Sequence, residues 1–190
     1  LFSKKPSLRG LFALCRWKTC CDCVHQVIAI HPRGSLMQSD SRFALIADSF
    51  HRLTGQQLLI RPEGISCAEA LWAAPNVIVA HGTEADPVFF YGNQRALELF
   101  DMPFETFTRL PSRLSAEPVA QVERAALLAR VTRDGFIADY AGVRIAANGA
   151  RFRIEQAVVW NLVDSQGVLH GQAATFSRWQ CLPDESIPVY

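Results

Sequence analysis

The sequence predicts an α+β fold: a five-stranded antiparallel sheet with helices on one side, plus an N-terminal helical extension. Three observations carry this. The stretch Pro87-Val-Phe-Phe-Tyr91-Gly-Asn93-Gln-Arg-Ala96-Leu97-Glu-Leu99-Phe100 reads as a short apolar strand turning sharply into a helix. A helical middle section follows it. Three strand segments separated by two hairpin turns then close the domain, giving the order β-β-α-α-α-β-β-β.

Each element has a local reason. Phe43, Ile46, Ala47, Phe50 and Leu53 recur on one helical face, which ends near Gly55. Ser66-Cys67-Ala68-Glu69 is a capping-box pattern that opens a short helix through Trp72, broken by Pro75. Asn76–His81 and Val88–Tyr91 read as strands around the turn cluster Gly82–Pro87. Asn93 suits an N-cap, because its side-chain oxygen can accept from a free N–H of the first turn. Helix from Gln94 stops at Met102-Pro103, and Phe104–Phe107 forms a further turn. A longer helix is predicted over Val119–Arg133, with Val122, Ala125, Ala126, Leu128 and Ala129 facing in, ended by Asp134-Gly135. Phe136–Ile145, Arg151–Val163 and Val168–Trp179 are the three closing strands, joined at Ala147-Asn148-Gly149 and Asp164–Gly167.

Composition bounds the organisation. The chain has 190 residues, 49% hydrophobic and 19% charged, enough for one domain with a core and appendages. Its net charge of +1 gives no argument for nucleic acid or an anionic membrane as partner. The charge is uneven, however. Residues 1–36 hold six basic residues and one acid, while residues 37–190 hold 13 Arg, no Lys and 17 acids, a net charge of −4. Residues 1–36 are expected to be a non-native or disordered extension, 37–75 the N-terminal helices, 76–180 the domain proper and 181–190 a loose tail. For the basic head, two further readings stay open: a transit peptide, or a metal site from Cys15, Cys20, Cys21 and Cys23 with His25 and His31. That spacing lacks a second CxxC half. Cys67 and Cys181 are too few and too far apart for a disulfide framework, so a reduced, cytoplasmic protein is expected.

The block Ala80-His81-Gly82-Thr83-Glu84-Ala85-Asp86-Pro87, then Tyr91-Gly92-Asn93 and Ala96–Phe100, resembles the MEKHLA domain, a PAS-related family. Arg109-Leu110-Pro111-Ser112-Arg113-Leu114-Ser115-Ala116-Glu117 and Arg151–Ala157 are similar to the same family, in its small stand-alone bacterial form. The resemblance covers about residues 40–180, although the literal M-E-K-H-L-A string is absent. It implies a PAS-like sensory or interaction module. The family also occurs at the C-terminus of plant homeodomain–leucine-zipper regulators; this chain carries no homeodomain pattern or heptad run, so DNA binding does not transfer. PAS domains that form a covalent flavin adduct place a Cys where this chain reads Thr108–Glu117, without one. Those that ligate haem usually use a His on the long helix, and residues 104–135 contain none. A covalent flavin adduct and a His-ligated haem are therefore not expected. A non-covalent ligand stays open and its identity unknown.

Alternation along Arg151–Val163 puts Phe152, Ile154, Gln156, Val158 and Trp160 on one face, and along the last strand His170, Gln172, Ala174 and Phe176. With a tight turn, Trp160 lies opposite Gln172 and Gln156 opposite Phe176. Two Gln and a Trp on an apolar inner face would suit a small planar or amide-bearing ligand, since buried amides need partners. Alternatively these Gln pair with backbone. Arg113, between helices, could bind an anion or pair with a carboxylate. Tyr91 and Asn93 complete the candidate set. His81, Glu84 and Asp86 form a compact acid/base cluster, read first as a solvated turn. Asp139 and Tyr140 are expected at the surface. No Ser-His-Asp string, P-loop or Gly-rich dinucleotide turn is present, so catalysis is not expected. The partners expected are a small-molecule ligand, a second copy or a signalling protein. The alternatives are a ligand-free dimerisation module or a small enzyme of ketosteroid-isomerase-like type.

Overall fold

The computed structural model describes residues 36–116 and 120–183, with side chains from 41 and from 125 in the two stretches. The head with Cys15, Cys20, Cys21 and Cys23, and the end of the tail, lie outside the described residues. Two helices come first, α1 (Leu36–Thr54) and α2 (Cys67–Trp72), then β1 (Val77–His81) and β2 (Phe89–Gly92). The helical middle is α3 (Gln94–Phe100), α4 (Phe104–Phe107), a 3-10 turn at Ser112–Ser115 and α5 (Ala120–Asp134). The closing strands are β3 (Phe136–Ile145), β4 (Arg151–Val163), β5 (Leu169–Phe176) and β6 (Arg178–Cys181). All pairs are antiparallel, in the order β2-β1-β5-β4-β3 with β6 on β4.

The local signals act as expected. Ser66 and Glu69 form a capping box, with Ser66 Oγ accepting from Glu69 N at 3.2 Å and Glu69 Oε2 from Ser66 N at 3.0 Å. Asn93 caps α3, accepting from Ala96 N at 3.1 Å. Among the described side chains of α5 the buried ones are Leu127 and Val131, whereas Ala125, Ala126 and Ala129 are exposed and Val122 lies outside the described side chains. The larger side chains win the inward face because they remove more apolar surface from water.

The predicted last strand is two strands. β5 pairs with the second half of β4 and β6 with its first half, so the sheet has six strands rather than five. The break has a cause in β4. Gln156 is in a left-handed conformation, φ 51°. Against β3, Ile154 and Ala157 pair with Gly142 and Tyr140, so β4 carries one residue more than its neighbour there. This is a β-bulge, which inserts a residue and inverts the alternation beyond it. Phe152, Ile154 and Ala157 belong to the cluster on the inner face, under α3 and α4. Trp160 and Leu162 belong to the cluster on the outer face, with Ile46 and Phe50 of α1. The N-terminal extension therefore covers the sheet face opposite α3 and α4.

Candidate functional site

A cavity of about 50 Å³ lies between the inner face of the sheet, α5 and the 3-10 turn. Its apolar wall includes Val79, Phe89, Phe100, Ile154, Val159 and Phe176. Five polar side chains also line it: His81, Ser115, Tyr140, Arg144 and Gln172.

Strand pairing brings them together. His81 at the end of β1 pairs with Gln172 of β5, and Asn161 of β4 pairs with Gln172 from the other side. The close approach depends on Gly171, with φ 145°, where a Cβ would collide with the His81 carbonyl oxygen. His81 is buried, with Nδ1 2.9 Å from Gly82 O. A carbonyl only accepts, so Nδ1 carries the proton. Gln172 Nε2 lies 3.1 Å from Leu128 O, 3.0 Å from Thr132 Oγ1 and 3.0 Å from Asn161 Oδ1. Asn161 Nδ2 in turn donates to Val131 O at 2.9 Å. The cavity wall thus holds the last turns of α5 through two amides. Arg144 is buried, donating from Nη1 to Val143 O at 2.8 Å and from Nη2 to Tyr140 Oη at 2.7 Å. Its guanidinium also lies 5.4 Å from the centre of the Tyr140 ring.

Of the residues expected at the site, Gln172 and Phe176 line the cavity. The others do not. Gln156, at the bulge, is exposed, and its Oε1 accepts from Arg178 at 3.1 Å. Trp160 is on the outer face, donating from Nε1 to Ser49 Oγ at 3.1 Å and meeting Phe50 edge-on at 4.9 Å. Trp160 pairs with Ala173 rather than Gln172, because the β4–β5 register shifts by one between Asn161 and Val163. Tyr91 is also on the outer face, 5.3 Å from the Phe43 ring. Its hydroxyl has no hydrogen-bond partner among the described residues, and burial pushes its pKa well up. Asn93 is a structural clasp. Its Oδ1 accepts from Ile78 N at 3.0 Å besides the α3 cap, and its Nδ2 donates to Ala74 O and Asn76 O. Arg113 is at the surface, ion-paired with Asp86 at 3.0 Å.

The expected acid/base cluster divides. His81 is in the cavity, Asp86 pairs with Arg113, and Glu84 Oε2 accepts from Val88 N at 3.4 Å. Tyr140 is half-buried in the cavity wall rather than at the surface, where Asp139 remains. Sequence reasoning missed Arg144 and Ser115 as well. The one available signal for Arg144 is its spacing of two from Ala146, a buried residue just past the end of β3. Among the described residues no group of three or more His, Cys, Asp or Glu is placed to hold a metal ion. No described helix is long and apolar enough to cross a membrane.

Comparison with known proteins agrees with this architecture. The PAS domain of a protein from Colwellia psychrerythraea superposes with a TM-score of 0.52 at 13% identity, over 60% of this chain and 92% of that one, which shows the PAS-like fold. A flavin-analogue structure of a light-oxygen-voltage domain gives a TM-score of 0.49 at 15% identity, covering 64% of this chain and 88% of that chain. In sequence, the chain is 29% identical over 168 residues to the homeobox-leucine zipper protein ATHB-9 of Arabidopsis thaliana. That match covers 80% of this chain and 20% of the relative, so the chain spans about a fifth of that relative's length. The MEKHLA domain model matches residues 40–181, which hold every described strand and nearly all of α1. With its family pattern running through both layers around the sheet, the chain belongs to the MEKHLA domain family.

Proposed function

We propose that the chain is a non-catalytic, cytoplasmic PAS-like sensory module that binds a small molecule in the cavity beside α5 and passes the signal to a protein partner. The observation that carries this reading is the placement of Gln172. Its amide lines the cavity and simultaneously reaches the backbone of α5 at Leu128. An occupant that competes for this amide changes how α5 is held, which is a direct route from cavity to surface. A non-catalytic role is supported by the lining, in which no carboxylate stands among the described residues. The isomerase-type alternative needs a pocket Asp or His as base; His81 lines the cavity with its Nδ1 engaged by Gly82 O, so that reading rests on His81 Nε2 alone. The likeness to a stretch of a homeobox-leucine zipper protein supports a module that works alongside other protein elements.

The test is native mass spectrometry of the full chain with a UV–visible spectrum. A mass excess or an added absorption band supports the sensor reading and identifies the occupant. A clean apo dimer, with no small-molecule binding in a thermal-shift screen, replaces it with a dimerisation module.

A further inference from the structure

We propose that the cavity takes a compact aliphatic monocarboxylate, with its carboxylate neutralised by Arg144; this rests on the ligand-binding reading above. Arg144 is only 8% exposed. A buried cation is costly unless it is paired, and the chain pairs arginines elsewhere. Exposed Arg113 and Arg133 each meet a carboxylate, at 3.0 and 2.6 Å. Among the described residues no carboxylate lies within ion-pair distance of Arg144, whose hydrogen bonds go to Val143 O and Tyr140 Oη. A guanidinium has five N–H donors in a planar fork suited to a carboxylate, so donors remain after those two bonds.

The surroundings define the rest of the ligand. Phe100, Ile154 and Phe176 offer an apolar wall for an alkyl tail. No described carboxylate lines the cavity to repel an anion. A water needs about 10–15 Å³ measured this way. The volume of about 50 Å³ then suits a tail and headgroup of few heavy atoms, in the range of propionate or butyrate, and is too small for a flavin or haem. A hydrophilic oxyanion such as phosphate would satisfy Arg144 but leave the apolar wall without a complement.

The experiment is calorimetric and thermal-shift titration of the full chain with propionate and butyrate, against propionamide, butyramide and inorganic phosphate. Carboxylates are expected to bind at least about tenfold more tightly than the amides of the same shape, from the strength of hydrogen bonds to a charged group. Arg144→Met is expected to remove that preference, and Arg144→Lys to keep part of it. The acid-against-amide comparison on the unaltered chain decides the matter even if a variant fails to fold. Equal binding of acid and amide, or a full preference surviving in Arg144→Met, overturns the role of Arg144 while leaving the ligand-binding reading intact. Phosphate binding better than the carboxylates replaces an alkyl acid with an inorganic anion. Binding by none of them overturns this proposal, and native mass spectrometry then decides the wider reading separately.

Discussion

On its outer face the sheet meets α1 through Trp160, Leu162, Ile46 and Phe50, all nearly or fully buried, with one side-chain hydrogen bond from Trp160 to Ser49 among them. On its inner face the same strands meet α5 across a cavity lined by five polar side chains, one of them a buried arginine. The difference teaches how one sheet divides its labour. A filled apolar face gains burial and dispersion contacts and leaves few polar groups to satisfy, the buried Tyr91 hydroxyl being one it does leave. A face that keeps a void and polar groups gives up some of that stability, and sites for ligands are usually built this way.

The largest test of this contrast is Trp160→Ala, which should destabilise the fold by about 3–5 kcal/mol in urea unfolding. An effect below about 1 kcal/mol would mean that the outer face is not the stabilising one. Asn93→Ala strikes the clasp joining β1 to α3, leaves several buried backbone groups unpaired and should cost about 2–3 kcal/mol. Its ligand binding, measured in the folded fraction, should be unchanged. Ala173 and Ala174 are neighbours on β5 that both border the cavity, but Ala173 packs in the outer cluster with α1 and Ala174 against the inner clusters. Ala173→Leu should overpack α1 and cost about 1–3 kcal/mol. Ala174→Leu should change stability by less than about 1 kcal/mol, because it grows into the void, and should abolish ligand binding. Equal costs at the two positions would erase the distinction between the faces.

Smaller effects belong to neither face. Arg113→Ala removes an ion pair in which both side chains are about half exposed and should change stability by no more than about 0.5 kcal/mol, with ligand binding unaltered. Asp164, at the β4–β5 turn, has its pKa lowered to about 2, chiefly by His170 at 2.8 Å and then by the Val168 N–H. Its folded value lies below the ordinary value near 3.8, so its contribution is present above about pH 4 and is lost as pH falls toward 2. Carboxyl NMR titration of Asp164 checks both direction and window. A midpoint near 4 would show that the turn does not hold the carboxylate.

The legible part of this chain was local. The turns at Asn148-Gly149 and Gln166-Gly167, the Ser66–Glu69 capping box and the Asn93 cap each act over four or fewer residues, and each appears as expected. The α+β architecture was legible from element order, and the family from the resemblance of blocks such as Ala80–Pro87 and Arg151–Ala157. Of the candidate residues only Gln172 and Phe176 reach the cavity, since they lie on β5 beyond the disturbance in β4 and so keep the expected alternation.

What the sequence determined by itself, then, is which segments become helix, strand and turn, the split of the last strand into β5 and β6 excepted, because caps, breakers and apolar periodicity operate between neighbours in the chain. What only the tertiary structure decided is which way the side chains of β4 point. Strand alternation has a period of two, so the single extra residue at Gln156 sends Trp160 to α1 and leaves the cavity to Ala157 and Val159. That bulge is defined by pairing with β3 on one side and with β5 and β6 on the other. Those partners are distant in sequence, and no local pattern at Gln156 announces them. The same holds for Arg144: its burial beside Tyr140 depends on α5 and four strands closing around it, and a charge acquires its meaning only from what encloses it.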